Sequence, residues 1–504
     1  MINPIPSYNI FNDLNLFEQI LSLFSNVTIW LLIIPIIGII LVLILPIGKN
    51  GEISKYLGLY TTLFNLIATV NLLIRFNPNN GGFQFLTSID LLWPINFGVD
   101  GISLFFIVLT AILMPICFII SETKIFVHNK LFILSYLFML LLLNSVFTIL
   151  DILGFYISFE AIIIPMFLVI GVWGSREEKV RAGYYFFLYT AAGSVLLLLS
   201  ILYISYTHGT TDYLLLVKQT IEEKYQYFIF IAFFISFAAK IPLFPFHIWL
   251  PLAHVEAPVS GSVILAGLLI KLGAYGFIRF ALPLTPIAAM YFAPFIITLA
   301  IISIIYASLT TIRQTDLKRI IAYSSVAHMG VATLAIFTFS TLGIQASIFL
   351  QIAHGVVSSA LFILVTILYE HHHSRLVKYY RGITLTMPLF STVFLIFTLA
   401  NIGVPLSANF IGEFLSLLAS FGINSTAAIL ASSSMVLSAC YALFLMGRIC
   451  FGQFSPYLKQ TRDLNEYELG VAIILIFFTL LLGIFPNLLL SIINPATIQL
   501  LINL

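Results

Sequence analysis

Fourteen stretches of about 20 mostly apolar residues, the length a helix needs to cross a bilayer, follow one another along this chain. Their approximate limits are 29–48, 57–75, 101–120, 131–150, 152–173, 182–205, 227–253, 259–281, 286–309, 320–340, 343–369, 386–420, 427–449 and 469–492. Hydrocarbon offers the backbone no hydrogen bonds, so a segment inside it satisfies its own amides, and runs of this length do so as helices. Composition excludes the alternative of several soluble domains. Hydrophobic residues make up 61% and charged residues 8%, with a mean hydropathy of +1.10, whereas a soluble surface needs about 25% charge. The prediction is an all-α polytopic membrane protein with about fourteen transmembrane helices.

Several function classes fall away on the same grounds. A net charge of +2 without a long basic block leaves no nucleic-acid footprint. Cys117, Cys440 and Cys450 sit in apolar runs without a CxxC pair, so neither an iron-sulfur cluster nor a structural metal has its ligands, and the three read as packing residues. Walker loops and dinucleotide fingerprints are missing, which assigns nucleotide binding to other chains. The N-terminal stretch carries Asp13 and Glu18 but no early Lys or Arg, so it resembles neither a secretory signal nor a basic transit peptide, and direct insertion is expected.

With fourteen spans, alternate connections fall on opposite faces of the membrane. Sixteen lysines and arginines, Lys318 and Arg375 among them, lie in the loops after spans 1, 3, 5, 9, 11 and 13; the other face holds Arg75, Lys218, Lys224 and Arg279. The positive-inside rule then turns the odd-numbered loops toward the cytoplasm or its organellar equivalent and both termini to the opposite side.

Two cations remain, Lys240 and Lys271, each near the middle of an apolar span. An ammonium at bilayer depth costs roughly 2.5–3.5 kcal/mol on insertion scales, so it is retained where it faces protein, water or a counter-charge. Glu160 and Glu413 lie equally deep, and His328 and His354 add two titratable links. Structural ion pairing accounts for any one of these groups. Six of them over six spans fit a proton relay better, because stability alone does not require a row of costly charges.

Backbone breaks point to the same places. The seventh span contains Pro242, Pro245 and Pro251, and the twelfth contains Gly403 and Pro405. Each proline removes a helix hydrogen bond, and paired interrupted helices in two halves are the signature of inverted-repeat transporters with a site near the midplane. A faint internal echo accompanies them: IPLF at 241–244 against VPLS at 404–407, and Glu177, Lys179 and Tyr184 against Asp316, Lys318 and Tyr323.

The segments GVDGISLFF at 98–106, GVWGSR at 171–176, FPFHIWLPLAHVEAPVSGSVILAGLLIKLGAYGFIRF at 244–280, DLKRIIAYSSVAHMG at 316–330 and AHGVVSSALF at 353–362 resemble the antiporter-like membrane subunits of respiratory complex I. The resemblance implies two inverted five-helix repeats with broken helices 7 and 12. It divides the chain into residues 1–130 (spans 1–3), 131–281 (first repeat), 286–449 (second repeat) and 450–504 (loop and last span). In family terms Glu160 pairs with Lys240, Lys271 is the central lysine of the eighth span, His328 and His354 lie on the polar axis, and Glu413 is the terminal residue of the twelfth. A glutamate at that last position marks one of the antiporter-like chains, where two others carry lysine. The implied function is proton translocation coupled to electron transfer elsewhere in the complex, without redox chemistry in this chain. No cofactor is expected here; NADH, FMN, iron-sulfur clusters and ubiquinone belong to partner subunits. The implied partners are other membrane-arm subunits, including neighbouring antiporter-like chains, and lipids. The implied location is the mitochondrial inner membrane, with both termini toward the intermembrane space. A subunit of a multisubunit cation/proton antiporter is the alternative sharing this fold and relay. Leu252 departs from the family, which commonly places a polar or charged residue there, and is expected at a loop edge; residues 1–95 match little and rest on hydropathy.

Other groups carry less. His371, His372 and His373 form a polar loop without enough ligands for a metal site, since only Glu370 adjoins them. His247 is read as a pore-mouth group and His254 as structural, and Asn424 fits a glycosylation sequon.

Overall fold

A computed structural model describes residues 26–45, 51–90, 94–121, 129–459 and 461–502. Asp13, Glu18, Lys49 and Lys124 lie outside them. The first helices are α1 (Val27–Ile44) and α2 (Gly51–Arg75). A short antiparallel hairpin follows, β1 (Gln84–Asp90) and β2 (Pro94–Val99), with Thr87 opposite Phe97 and Ile89 opposite Ile95. This hairpin was not expected from hydropathy. Then come α3 (Gly101–Ile120), α4 (Asn129–Thr148), α5 (Ile152–Ala161), α6 (Ile163–Trp173) and α7 (Lys179–His208). Twelve helices among the described residues are long and apolar enough to cross a membrane, α5 and α6 counting together as one.

The two interrupted spans account for the difference from fourteen. The expected seventh span is α8 (Glu223–Lys240) and α9 (Trp249–Glu256), joined by the proline-rich segment 241–248. After α10 (Val259–Leu284), α11 (Pro286–Arg313), α12 (Leu317–Ile336) and α13 (Thr341–His372), the expected twelfth span is α14 (Pro388–Ile402) and α15 (Ala408–Phe421). The chain continues through α16 (Ser425–Cys450) and α17 (Glu466–Ile484). The run read as ending at 492 stops at Ile484, where Pro486 breaks it, and a separate helix, α18 (Asn487–Ile502), follows.

Burial sorts these helices into centre and rim. In α10 and α13 the whole apolar window is buried, whereas in α17 the figure is 28%, so the first two face protein on all sides and the last faces lipid. The central helices approach closely at glycines. A Cβ on Gly355 of α13 would lie 3.1 Å from the Gly267 carbonyl of α10, and one on Gly273 would lie 2.6 Å from the Phe237 carbonyl of α8. Small residues at such contacts are how helices pack where lipid removes the hydrophobic drive between them.

Both breaks satisfy their freed backbone internally. Phe244 N–H donates to Ser303 Oγ of α11 at 2.9 Å, and Trp249 Nε1 donates to the Ala239 carbonyl at 2.8 Å. In the second break, Gly403 takes a left-handed φ of 82° and its N–H, with that of Val404, closes the end of α14 on Ala400 and Leu399.

Gly273→Ala is expected to destabilise the detergent-extracted protein by about 1–3 kcal/mol through overpacking against Phe237 and Ile241. Gly171→Ala, where a Cβ meets nothing within 4 Å, should leave the thermal midpoint unchanged.

Candidate functional site: a buried polar axis

The interrupted and central helices converge on the six titratable groups read from the sequence. Lys240 is the last residue of α8, at the negative end of its dipole, which favours a cation. Its Nζ lies 3.7 Å from Glu160 Oε1 of α5. The ammonium donates its hydrogen bond elsewhere, to the Phe159 carbonyl, and sits 3.2 Å from the centroid of the Phe159 ring. Glu160 Oε1 has no hydrogen-bond partner, so the pair is in contact without being closed. Ser194 of α7 and Tyr156 flank the carboxyl.

Lys271 is completely buried in α10. The helix winds as π-helix over Leu265–Leu269 and again over Phe277–Ala281, on either side of it. A π turn shifts the hydrogen-bond register and is common at functional sites; here the Ala266 carbonyl accepts from Lys271 Nζ. The same ammonium lies 3.1 Å from His354 Nδ1 of α13. His354 and His328 of α12 face one another with ring centroids 5.4 Å apart, and His328 Nδ1 is 2.8 Å from Glu413 Oε1 of α15. The Nε2 of each histidine is buried without a hydrogen-bond partner. Glu413 lies under the twelfth-span break, where a Cβ on Gly403 would stand 2.9 Å from its Oε2.

Four of the six groups therefore form one run of contacts, Lys271–His354–His328–Glu413, and the other two form a pair. A cavity of about 10 Å³ lies beside Lys240, lined also by Thr190, Trp249, Leu269 and Leu272; Lys271 is not among the residues that line it. Its size is that of roughly one water.

Comparison with known proteins bears on this arrangement directly. Residues 150–438, which hold all six groups, match the family described as NADH:quinone oxidoreductase/Mrp antiporter transmembrane proteins. The chain belongs to this family. NADH-ubiquinone oxidoreductase chain 4 of Metridium senile is 53% identical over 469 residues, covering 91% of this chain and 95% of its own. The protein of the same name from Marchantia polymorpha is 46% identical over 474 residues, covering 93% and 96%. Among solved structures, a chain of respiratory complex I from Thermus thermophilus superposes with a TM-score of 0.85 at 30% identity, covering 94% of this chain and 99% of that one. A chain of an archaeal membrane-bound sulfane sulfur reductase shares the fold, with a TM-score of 0.83 at 20% identity. The expected member among the antiporter-like chains, the one with glutamate at the end of the twelfth span, is the one these relatives carry in their name.

Charges counted as loop residues in the sequence turn out to be part of this family member's interior. Arg279, on the second π segment, is 3% exposed and pairs with Asp100 at 2.5 Å. Its guanidinium also packs on the rings of Phe83, Tyr213 and Tyr275. The only signal in the sequence was GVDG at the start of α3, where Asp100 caps the helix by accepting from Ser103 N–H. Lys318, at the start of α12, is 2% exposed and donates to the Ala257 carbonyl at 3.1 Å. Arg375 is buried beyond α13, donating to the Val255 carbonyl and Ser175 Oγ, with Glu256 Oε1 4.0 Å away; burial pulls its guanidinium below the ordinary value.

The remaining groups separate clearly. His254 stacks on Phe362 at 4.4 Å between centroids, with both ring nitrogens unpartnered. His247 is 3% exposed and packs edge-on against Tyr306, so it lines no open mouth. His371 and His372 belong to the last turn of α13 and not to a loop, with His373 as its left-handed cap. Among the described residues no group of three or more His, Cys, Asp or Glu is placed to hold a metal. Asn424 caps α16 by accepting from Thr426 and Ala427. Leu252 lies within α9, half-buried against the core, and not at a loop edge. Cys117 and Cys450 are buried as expected of packing residues, while Cys440 is exposed. On the opposite face Asp151 caps α5 and bonds Thr211; burial raises its carboxyl above the usual range.

Arg279→Met is expected to cost about 3–5 kcal/mol, because it strands a buried carboxylate. The double change Arg279→Met with Asp100→Asn, which keeps a capping oxygen, should recover much of that in thermal unfolding of the membrane-extracted protein.

Proposed function

We propose that this chain is a proton-translocating membrane-arm subunit of NADH:ubiquinone oxidoreductase in the mitochondrial inner membrane, and that Glu160, Lys240, Lys271, His328, His354 and Glu413 are its proton relay. The observation that carries the relay is the run of contacts Lys271–His354–His328–Glu413, at 3.1 Å between lysine and first histidine, 5.4 Å between the centroids of the two imidazole rings, and 2.8 Å between second histidine and glutamate. Each member binds or releases a proton without moving its backbone, and their spacing lies within hydrogen-bond reach or one water of it. NADH, FMN, iron-sulfur clusters and ubiquinone belong to partner subunits in this reading. The division into two inverted five-helix repeats, 131–281 and 286–449, and the placement of both termini toward the intermembrane space are parts of the same proposal.

The pair at the other end supplies the control. Lys240 has two seats within reach, the Glu160 carboxylate and the Phe159 carbonyl with its ring. In the first, the counter-ion holds the proton on the lysine. In the second, the lysine has only a neutral dipole and a π face, and its proton passes on toward Lys271. A change of charge at one end of the chain, driven by electron transfer in the partners, moves Lys240 between the two. Transport of one proton against about 100 mV takes about 2.3 kcal/mol, and electron transfer in the partners supplies it in this reading.

In the assembled complex, Lys271→Met and Glu413→Gln are each expected to lower proton-coupled quinone reductase activity several-fold while a native gel still shows full assembly. Unchanged activity in both would remove the relay. Lys240→Ala and Glu160→Ala should likewise reduce coupled activity.

A further inference from the structure

At the membrane face where α3, α6 and α13 end and α4, α12 and α17 begin, a cleft of about 340 Å³ opens between helix ends. Two cations form part of its wall, Lys318 and Arg375, both at least nine-tenths buried, with His373 at its edge. Glu370 is the one carboxylate among the described residues of the lining, and Glu256 lies behind Arg375. The guanidinium spends its outer nitrogens on Val255 and Ser175, but its Nε is buried and donates to nothing. Lys318 Nζ has three protons and, among the described residues, one hydrogen-bond acceptor, the Ala257 carbonyl. Buried donors of this kind are costly when unfilled, and the ligand that fills two adjacent cationic donors is an anion with several oxygens.

The cleft does not end at its polar wall. At Trp173 it meets a groove of about 470 Å³ running down between α4 and α6, lined by Leu131, Leu134, Phe138, Ile164 and Leu168, with little polar surface. At Ile120, Val259 and Thr366 it meets a second groove, whose wall continues through Ile119, Ile363 and Ile367. Glu468 and Asn465 stand at the rim of this second one. Both grooves leave the cationic cleft at the same membrane face, and Trp173 at the junction is the residue type that sits where headgroups meet chains. A free phosphate would answer the donors and leave both grooves bare; a neutral lipid would fill the grooves and leave the donors unanswered.

We propose that this cleft and its grooves are a binding site for an anionic phospholipid, with the phosphate on Lys318 and Arg375 and acyl chains in the α4–α6 groove and the groove beside Ile120 and Ile363. The site stands apart from the relay, since neither lysine nor arginine here belongs to it.

The test is photolabelling of the assembled complex in native membranes by anionic phosphatidylglycerol with a photoreactive acyl chain, with labelled peptides mapped by mass spectrometry. Label is expected in residues 131–138 and 164–173. Lys318→Gln should reduce it at least three-fold, and Leu168→Trp, which fills the groove without touching a charge, should do the same while label elsewhere on the complex is unchanged. Equal labelling by a zwitterionic phosphatidylcholine probe, or label unaffected by both variants, would overturn the proposal. Inorganic phosphate bound by the wild-type complex and lost in Lys318→Gln, with no lipid label in the grooves, would overturn it as well, leaving an anion site without a lipid.

Discussion

A charge withdrawn from water into a helix bundle has to be compensated by whatever the bundle supplies, and most of the irregular backbone in this protein is that compensation. A straight α-helix offers an ammonium little, because its carbonyls already accept from its own amides. The chain ends α8 at Lys240, whose ammonium donates to the Phe159 carbonyl of α5. It winds α10 as π-helix beside Lys271, whose ammonium donates to the Ala266 carbonyl, and breaks the twelfth span over Glu413 at Gly403. Prolines and glycines that would weaken an ordinary span are here the means of holding a charge at depth.

The interior charges fall into two kinds. Arg279 and Asp100 are 2.5 Å apart, with three aromatic rings around the guanidinium. An arginine does not give up its proton in proteins, so this pair is fixed and braces the start of α3 against α10. The six groups proposed as the relay are lysine, histidine and glutamate, each able to exist neutral. Their contacts are looser, with orphaned nitrogens on both histidines and an unbonded oxygen on Glu160. The Arg279–Asp100 pair is locked, while these six keep spare valence.

Much of this was legible beforehand because its signals are local. Apolar run length gives the spans, and a charge in such a run announces itself, so Glu160, Lys240, Lys271 and Glu413 needed no structure. The two breaks were readable from Pro242, Pro245, Gly403 and Pro405. What escaped was what depends on depth at helix ends. Arg279, Lys318 and Arg375 sit near polar loops in sequence and are buried only because α3, α9 and the segment after α13 close over them. The π turns leave no mark in residue type, and the order of contact from Lys271 to Glu413 joins residues up to 142 positions apart in four helices. The hairpin at 84–99 was lost in a stretch judged by hydropathy, a measure blind to the alternation of short strands.

The glycine contact between α10 and α13 has a mechanical meaning. Gly267 and Gly355 bring two backbones close, with the side chains of Leu109, Leu113 and Ser359 packed over them, one residue from His354 and one turn from Lys271. Backbone has no rotamers and little compressibility, so the helices are already at their distance of nearest approach. Any motion that alters the junction can only part them. The contact between Lys271 and His354 is in that sense closed at rest, and in the proposed relay a signal arriving from elsewhere in the bundle would interrupt it by pulling the two helices apart, not by pressing them closer.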